Sequence, residues 1–146
     1  MQKTNTIGAG LAVFYYISTI LLFSLRILGA AEISRGVGLV QTVLALPVGL
    51  YLFQKGLKEK RPTLFLIQVG FFILFLVVEI LFDFVYKLDF RQDLRIVIPY
   101  VMLFFAGTGG LLGITSKAGK KWMTAAGILY LIMGMLAFVQ RAITGM

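Results

Sequence analysis

Five stretches of this 146-residue chain carry no charged side chain, and each is about as long as a bilayer's hydrocarbon core is thick. They are Thr4–Leu25, Gly36–Gln54, Pro62–Val78, Ile96–Ser116 and Trp122–Gln140. A helix rises about 1.5 Å per residue, so about 20 apolar residues cross roughly 30 Å of hydrocarbon. Five such stretches leave almost no sequence for a water-soluble domain. We therefore expect residues 1–146 to form a single all-α integral membrane domain, a compact bundle of five transmembrane helices.

The composition agrees with this expectation and excludes several kinds of site. Hydrophobic residues make up 60% of the chain, and the mean hydropathy is +0.95, which is outside the range of soluble globular domains. The chain contains no Cys and no His. It therefore cannot form disulfides, thiolate nucleophiles, Cys/His zinc sites or His-ligated haem. We expect no cofactor and no metal site.

The second helix is the weakest of the five, because Pro47 interrupts its apolar run and Gln41 lies within it. Proline is tolerated in membrane helices when neighbouring groups satisfy the freed carbonyl. The alternative is four spans, with Val37–Gln54 as a re-entrant or interfacial segment. The five predicted helices cover about Ile7–Gly29, Val37–Gln54, Pro62–Tyr86, Ile96–Thr115 and Trp122–Arg141.

The net charge of +8 is unevenly divided between the two sides of a five-span topology. One side has eight basic residues against one acid, and the other has six against five. Cytoplasmic loops carry the excess of Lys and Arg, so we expect a plasma-membrane protein with the N-terminus cytoplasmic and the C-terminus outside. The basic excess follows membrane side and is not a nucleic-acid footprint. Anionic lipid headgroups are the expected partners of Lys55, Lys58, Lys60, Arg61, Lys117, Lys120 and Lys121.

A cluster of charged residues follows the third apolar stretch. Glu79, Asp83 and Lys87 are spaced i, i+4 and i+8, so an α-helix would place them along one face. A carboxylate at the depth of Glu79 is costly unless it is paired, protonated or in a wet cavity. Arg26 approaches the same side at the end of the first helix. We therefore predict an ion pair of Arg26 with Glu79 or Asp83.

The fourth helix is rich in small residues. Gly109 and Gly113 form a GxxxG pair, and Ala106 and Gly110 form a second pair with the same spacing. Small residues let helix backbones approach closely in lipid, so these four are predicted helix-packing residues. The predicted receiving surfaces lie on the second and fifth helices, at Ala45, Gly49, Gly127 and Gly134. Packing within one chain, packing between copies and packing in a larger membrane complex all remain open.

Two functions fit these features. The first is a non-catalytic accessory or scaffold protein, because the sequence lacks cofactor ligands and offers small-residue faces. The second is a small oligomeric transporter or channel that uses Glu79 and Asp83 for proton or cation coupling. Two carboxylates could also serve acid–base catalysis, but no nucleophile or oxyanion donor set accompanies them, so an enzyme is not favoured.

Overall fold

The computed structural model describes residues 2–85 and 93–144, and those residues form helices joined by short turns. Lys87 and the rest of 86–92 lie outside the described residues. A π-helical segment continues the third helix directly. The elements are α1 (Gln2–Ile27), α2 (Ala31–Lys58), α3 (Thr63–Glu79), the π segment (Ile80–Val85), α4 (Leu94–Thr115) and α5 (Lys120–Thr144).

Within the described part of the chain, five helices are long and apolar enough to cross a membrane, which confirms the predicted architecture. The second helix is continuous through Pro47 and contains 28 residues. At about 1.5 Å per residue it extends about 42 Å, which exceeds the thickness of the hydrocarbon core. A full span therefore fits α2 better than the re-entrant alternative. The chain has the architecture of a multi-pass helical membrane protein.

Helices α1 to α4 form a ring in which each contacts its neighbours, and α5 packs on the edge made by α1 and α4. Half of the most apolar window of α1 is buried, against 11% of that of α5. The buried side chains of α5 include Ala126, Met133 and Gln140, which are seven residues apart. This spacing is that of a narrow coiled-coil seam. The fifth helix is therefore the most peripheral element, and α1 is the centre of the bundle.

The glycines of α4 pack mainly against α3, and not against α2, which makes no contact with α4 among the described residues. The predicted surface on α5 does meet α4, because a Cβ atom on Gly134 would lie 3.6 Å from the Phe105 ring. A Cβ atom built on Gly110 would lie 3.0 Å from the carbonyl oxygen of Gln68. Gly107 makes a similar approach to Phe71, and Gly113 lies against the side chain of Gln68. Because glycine has no side chain, the backbones of α3 and α4 can approach closely here.

The other two predicted packing residues of α4 do not face α3 in the same way. A Cβ atom on Gly109 would lie 3.2 Å from the hydroxyl oxygen of Tyr130 on α5. Ala106 is exposed, so its packing role stays a prediction about contacts outside the chain, and Gly107 makes the close contact with α3 within it. Among the predicted residues of α4, Gly109, Gly110 and Gly113 therefore lie at contacts between helices of the same chain.

One end of the bundle, which we call the basic end, joins the start of α1 to the α2–α3 and α4–α5 turns. The Thr4 hydroxyl donates to a Glu59 carboxylate oxygen at 2.8 Å. The Asn5 amide donates to the carbonyl oxygen of Lys117 at 3.4 Å. These two hydrogen bonds hold the start of α1 beside the two turns that carry the lysines.

Arg61 differs from the lysines of the basic end. Its Nε donates to Glu59 at 3.0 Å, and its guanidinium lies 5.0 Å from the centroid of the Phe65 ring. Only 3% of its side chain is exposed, which does not favour the predicted headgroup contact for Arg61. The contact stays a prediction for Arg61 and for the lysines. The hydrogen bonds from Thr4 and then from Arg61 hold the pKa of Glu59 below its ordinary value.

Candidate functional site

A cavity of about 110 Å³ lies toward the opposite end of the bundle, which we call the cavity end. There α1, α3 and α5 end and α4 begins, and all five helices contribute to the cavity wall. Its polar and charged lining residues are Tyr15, Thr19, Arg26, Gln41, Glu79, Tyr100, Gln140 and Arg141. The cavity is therefore a meeting point of ionisable side chains inside an otherwise apolar bundle.

Aromatic rings form much of the remaining wall. The Phe75 and Phe104 ring centroids are 5.4 Å apart, and those of Phe104 and Phe105 are 5.1 Å apart, both in edge-to-face geometry. Phe105 stacks on Phe138 of α5 at 5.9 Å, and Phe23 of α1 packs 6.2 Å from Phe104. Interlocked rings have few alternative rotamers, so this side of the cavity is a stiff apolar surface.

Gln41 supplies a neutral polar group from α2. Its side chain is buried, and its amide nitrogen lies 2.7 Å from the Ser18 and Thr19 hydroxyl oxygens and 3.1 Å from the Tyr15 carbonyl oxygen. An amide nitrogen has two hydrogens to share among these acceptors. The network therefore joins α1 to α2 in a region where no lipid group could satisfy it.

Glu79 is the carboxylate of the cavity. It is half-buried at the last position of α3, directly before the π segment. The Tyr15 hydroxyl, whose residue is only 1% exposed, donates to a Glu79 carboxylate oxygen at 3.5 Å. Short π-helical turns are rare and occur frequently at functional sites. Glu79 therefore lies inside a membrane-spanning segment, lines the cavity and precedes the point where the backbone becomes π-helical.

Two arginines line the same cavity. Arg26 is on the last turn of α1, with its guanidinium 5.9 Å from the centroid of the Phe23 ring. Arg141 is on the last turn of α5. Both are half-buried. Among the described lining residues, therefore, two guanidinium groups face one carboxylate.

The structure brings together two members of the predicted charged cluster, since Arg26 and Glu79 line one cavity. Their ion pair stays a prediction. The α-helical register on which the common face was based ends at Glu79, because Ile80–Val85 is π-helical. The side chain of Asp83 and all of Lys87 lie outside what the structure describes.

Several lining residues were not predicted as site residues. Gln41 was noted only as a weakness of the second helix, and Arg141 only as a topology charge. Gln140 is buried and precedes Arg141, so the polar pair at the end of the last span was the available signal. Polar residues inside membrane spans are functional candidates by default, and that rule would have found both.

The described lining residues supply groups that can bind a ligand and exchange a proton. Within residues 2–85 and 93–144 no three His, Cys, Asp or Glu side chains are grouped closely enough to hold a metal ion. A cavity of about 150 Å³ in another protein binds benzene, and one water needs about 10–15 Å³ measured in the same way. The volume of about 110 Å³ thus accommodates several waters or a small organic group.

Comparison with protein-family models, curated proteins and solved structures finds no match for this chain.

Proposed function

We propose that this chain is a small transporter of the cell membrane in which Glu79 is the proton-coupling carboxylate. The observation that carries the proposal is a carboxylate lining a cavity large enough for water, inside a bundle of membrane-spanning length. An intramembrane carboxylate is costly unless it is paired, protonated or hydrated. The protonated carboxyl is neutral, whereas the paired and the hydrated carboxylate are both ionised, so passage between the protonated state and either of the others moves a proton.

The packing of α4 favours transport over the accessory role. The scaffold hypothesis depended on small-residue faces available for a partner. Gly107, Gly110 and Gly113 instead pack against α3 of the same chain. The small residues of α4, which most favoured partner binding, thus pack within the bundle. Glu79, which favours transport, lines the cavity.

The proposed orientation places the basic end in the cytosol, with the N-terminus inside and the C-terminus outside. Its support is the excess of Lys and Arg that cytoplasmic loops carry. The hydrogen bonds of Thr4 and Asn5 collect the basic loops at one end. The cavity then opens in the outer half of the membrane. The coupling role is assigned to Glu79 because its side chain lines the cavity.

The test is proton flux into proteoliposomes that contain a trapped pH-sensitive dye. The external medium is made acidic, and separate pools of organic anions, organic cations and neutral solutes without groups titrating near neutral pH are supplied. We expect at least one pool to accelerate acidification by the wild-type protein, and Glu79→Gln to lower the rate to that of empty vesicles. Glu32→Gln, which removes an exposed acid outside the cavity, is the matched control and should behave as wild type.

Two results would contradict the transport proposal. One is wild-type flux equal to that of empty vesicles for every pool. The other is equal flux for wild type and Glu79→Gln, because the coupling carboxylate would then be unnecessary.

The second candidate is the accessory or scaffold role, and the weak burial of α5 favours it. Leu131 and Met135 are 67% and 68% exposed on a helix that buries one narrow seam. A second copy of the chain could cover this face. Because the chain has no Cys, single cysteines at Leu131, Met135 and, as a control, Leu39 of α2 would report it by cross-linking in membranes. Dimers confined to the α5 positions support this role, and equal cross-linking at Leu39 opposes it.

A further inference from the structure

Gln41 lines the cavity with one polar atom that its own protein does not use. Only 2% of the residue is exposed. Its amide nitrogen faces α1, because the Tyr15 backbone carbonyl oxygen at 3.1 Å can only accept a hydrogen bond. Among the described residues, no donor lies within hydrogen-bond distance of the amide oxygen. The oxygen is also not sealed off by protein, since of the described side chains only Asn5 has an unbonded polar atom enclosed in that way.

The Thr19 hydroxyl supplies the complementary group. Its oxygen accepts from the Gln41 nitrogen at 2.7 Å, and the residue is 4% exposed in the same cavity wall. Within the described part of the chain its own hydrogen has no acceptor, whereas the neighbouring Ser18 hydroxyl donates to the Phe14 and Tyr15 carbonyl oxygens. An unused acceptor and an unused donor thus lie close together. A hydroxyl group satisfies both, because it donates one hydrogen bond and accepts others.

The wall next to this pair is aromatic. Phe23 lies one helical turn after Thr19 on the same face of α1, and its ring centroid is 6.2 Å from that of Phe104. Phe104 contacts Phe75 and Phe105 in edge-to-face geometry, and all four rings line the cavity. Apolar cavities stay dry and bind apolar molecules, so water is a poor occupant beside these rings. This part of the wall favours an apolar body.

We propose that the cavity binds a small neutral alcohol or phenol, with its hydroxyl between Gln41 and Thr19 and its apolar body on the phenylalanines. Small-molecule sites commonly combine an apolar wall with a few polar groups that fix orientation. A ring no larger than benzene matches the volume of about 110 Å³, and a whole lipid is far larger. The inference rests on the proposed function where it names the substrate class of a Glu79-coupled transporter, and it requires no uncompensated charge in the wall.

Equilibrium dialysis of the purified protein in lipid nanodiscs tests the proposal, with protein-free nanodiscs as the correction for partition into lipid. Phenol, which is neutral at neutral pH, carries the hydroxyl. Fluorobenzene has nearly the same size and no donor. We expect saturable binding of phenol that is about tenfold tighter than that of fluorobenzene, as for one hydrogen bond gained at a buried acceptor.

Gln41→Leu removes the acceptor and keeps an apolar side chain of similar length. It should weaken phenol binding about tenfold and leave fluorobenzene binding at the wild-type level, which a misfolded protein would not do. Gln54→Leu replaces an exposed glutamine of the same helix outside the cavity wall, and this matched control should bind both probes as wild type does.

Ala137→Phe gives a second test that does not depend on the Gln41 network. It places a ring in the cavity from α5 and should abolish saturable binding of both probes. Ala125→Phe, at an exposed position of the same helix outside the wall, should bind them as wild type does.

Four results would overturn the inference. The first two are equal binding of phenol and fluorobenzene to the wild-type protein, and no saturable binding of either, because water alone would then fill the cavity. The others are wild-type phenol affinity in Gln41→Leu and wild-type phenol affinity in Ala137→Phe.

The binding and flux experiments separate the two proposals. Binding of phenol with no Glu79-dependent proton flux would overturn the transport function and leave the hydroxyl site in place. Glu79-dependent flux without phenol binding would overturn the substrate class and leave the transport function in place.

Discussion

The two ends of the bundle use charge in opposite ways. At the basic end, Glu59 is bonded to Thr4 and Arg61, and Arg61 is covered by the Phe65 ring. At the cavity end, Arg26, Arg141 and Glu79 surround a space of about 110 Å³. A charge whose surroundings are filled by its own protein contributes to stability, whereas charges that line a cavity border a space that water or a ligand can enter. The four predictions below test this contrast.

The largest effect is expected in the α3–α4 seam, which holds the two ends in register. Gly110→Leu should lower the free energy of unfolding by about 3 kcal/mol, because overpacking in a tight contact is strongly destabilising. A Cβ atom there already lies 3.2 Å from the Cα of Gln68. Thermal stability in detergent, followed by size-exclusion chromatography after heating, measures the loss. The matched variant Gly127→Leu, with no atom within 4 Å of its Cβ position, should have little effect. Equal losses would show that this seam is not close-packed.

Replacing one arginine at each end with alanine tests the contrast directly. Arg61→Ala should lower stability by about 1–2 kcal/mol, because it removes a desolvated cation–π contact and the packing of the side-chain stem. Its Glu79-dependent proton flux should be that of wild type. Arg26→Ala should do the reverse, with a small loss of stability and a large loss of flux, because Arg26 lines the same cavity as Glu79. The two measurements are heating in detergent and proton flux into proteoliposomes. If Arg61→Ala lowers the flux as much as Arg26→Ala does, the ends are not functionally distinct.

The basic end should weaken in acid. The pKa of Glu59 is lowered in the folded chain, so its contribution to stability is present above the ordinary carboxyl pKa and is lost as the pH falls through the lowered pKa. Melting temperatures measured between neutral pH and about pH 3 should fall more for wild type than for Glu59→Gln. Parallel curves for the two proteins would show that Glu59 does not contribute.

The smallest effect concerns the two turns, one at each end. Gly29 follows α1 with φ +82°, and Lys60 follows α2 with φ +52°. Both close helices through bonds of the Schellman type, but only Gly adopts this left-handed conformation without steric cost. Lys60→Gly should therefore raise stability by about 0.5–1 kcal/mol, and Gly29→Ala should lower it by about 1 kcal/mol. Thermal melts measure both changes, and a destabilised Lys60→Gly would contradict this account.

Much of the fold follows from patterns within single segments. The length of each charge-free run predicted five spanning helices, and the structure confirms them. Pro47 interrupts the apolar run of α2, yet the helix continues through it. The α-helical spacing of Glu79, Asp83 and Lys87 was less reliable, because a π segment begins at Ile80. Spacing rules assume one helical geometry, and nothing in the local residues indicated the change.

The candidate site was predictable only in part. Arg26 and Glu79 were expected at the same side because both are charges close to helix ends on that side. Gln41, Gln140 and Arg141 belong to α2 and α5, and no sequence spacing relates them to Glu79. Arg61 looked like one more surface charge among lysines, but Phe65 and Glu59 bury it. The position of the α2 and α5 residues in the site and the burial of Arg61 both depend on which side of each helix faces its neighbours.

The sequence by itself determined that lipid-length helices dominate this chain, how many there are, and which ends carry the basic loops. Those properties depend on the free energy of moving each residue from water into lipid and on its charge. Both quantities add along the chain. Only the tertiary structure decided that α3 receives the glycines of α4, and that one carboxylate and two arginines share a cavity. These outcomes depend on the rotation of each helix about its axis. In an apolar solvent that rotation is governed by close packing and polar contacts between helices, and no single segment contains it.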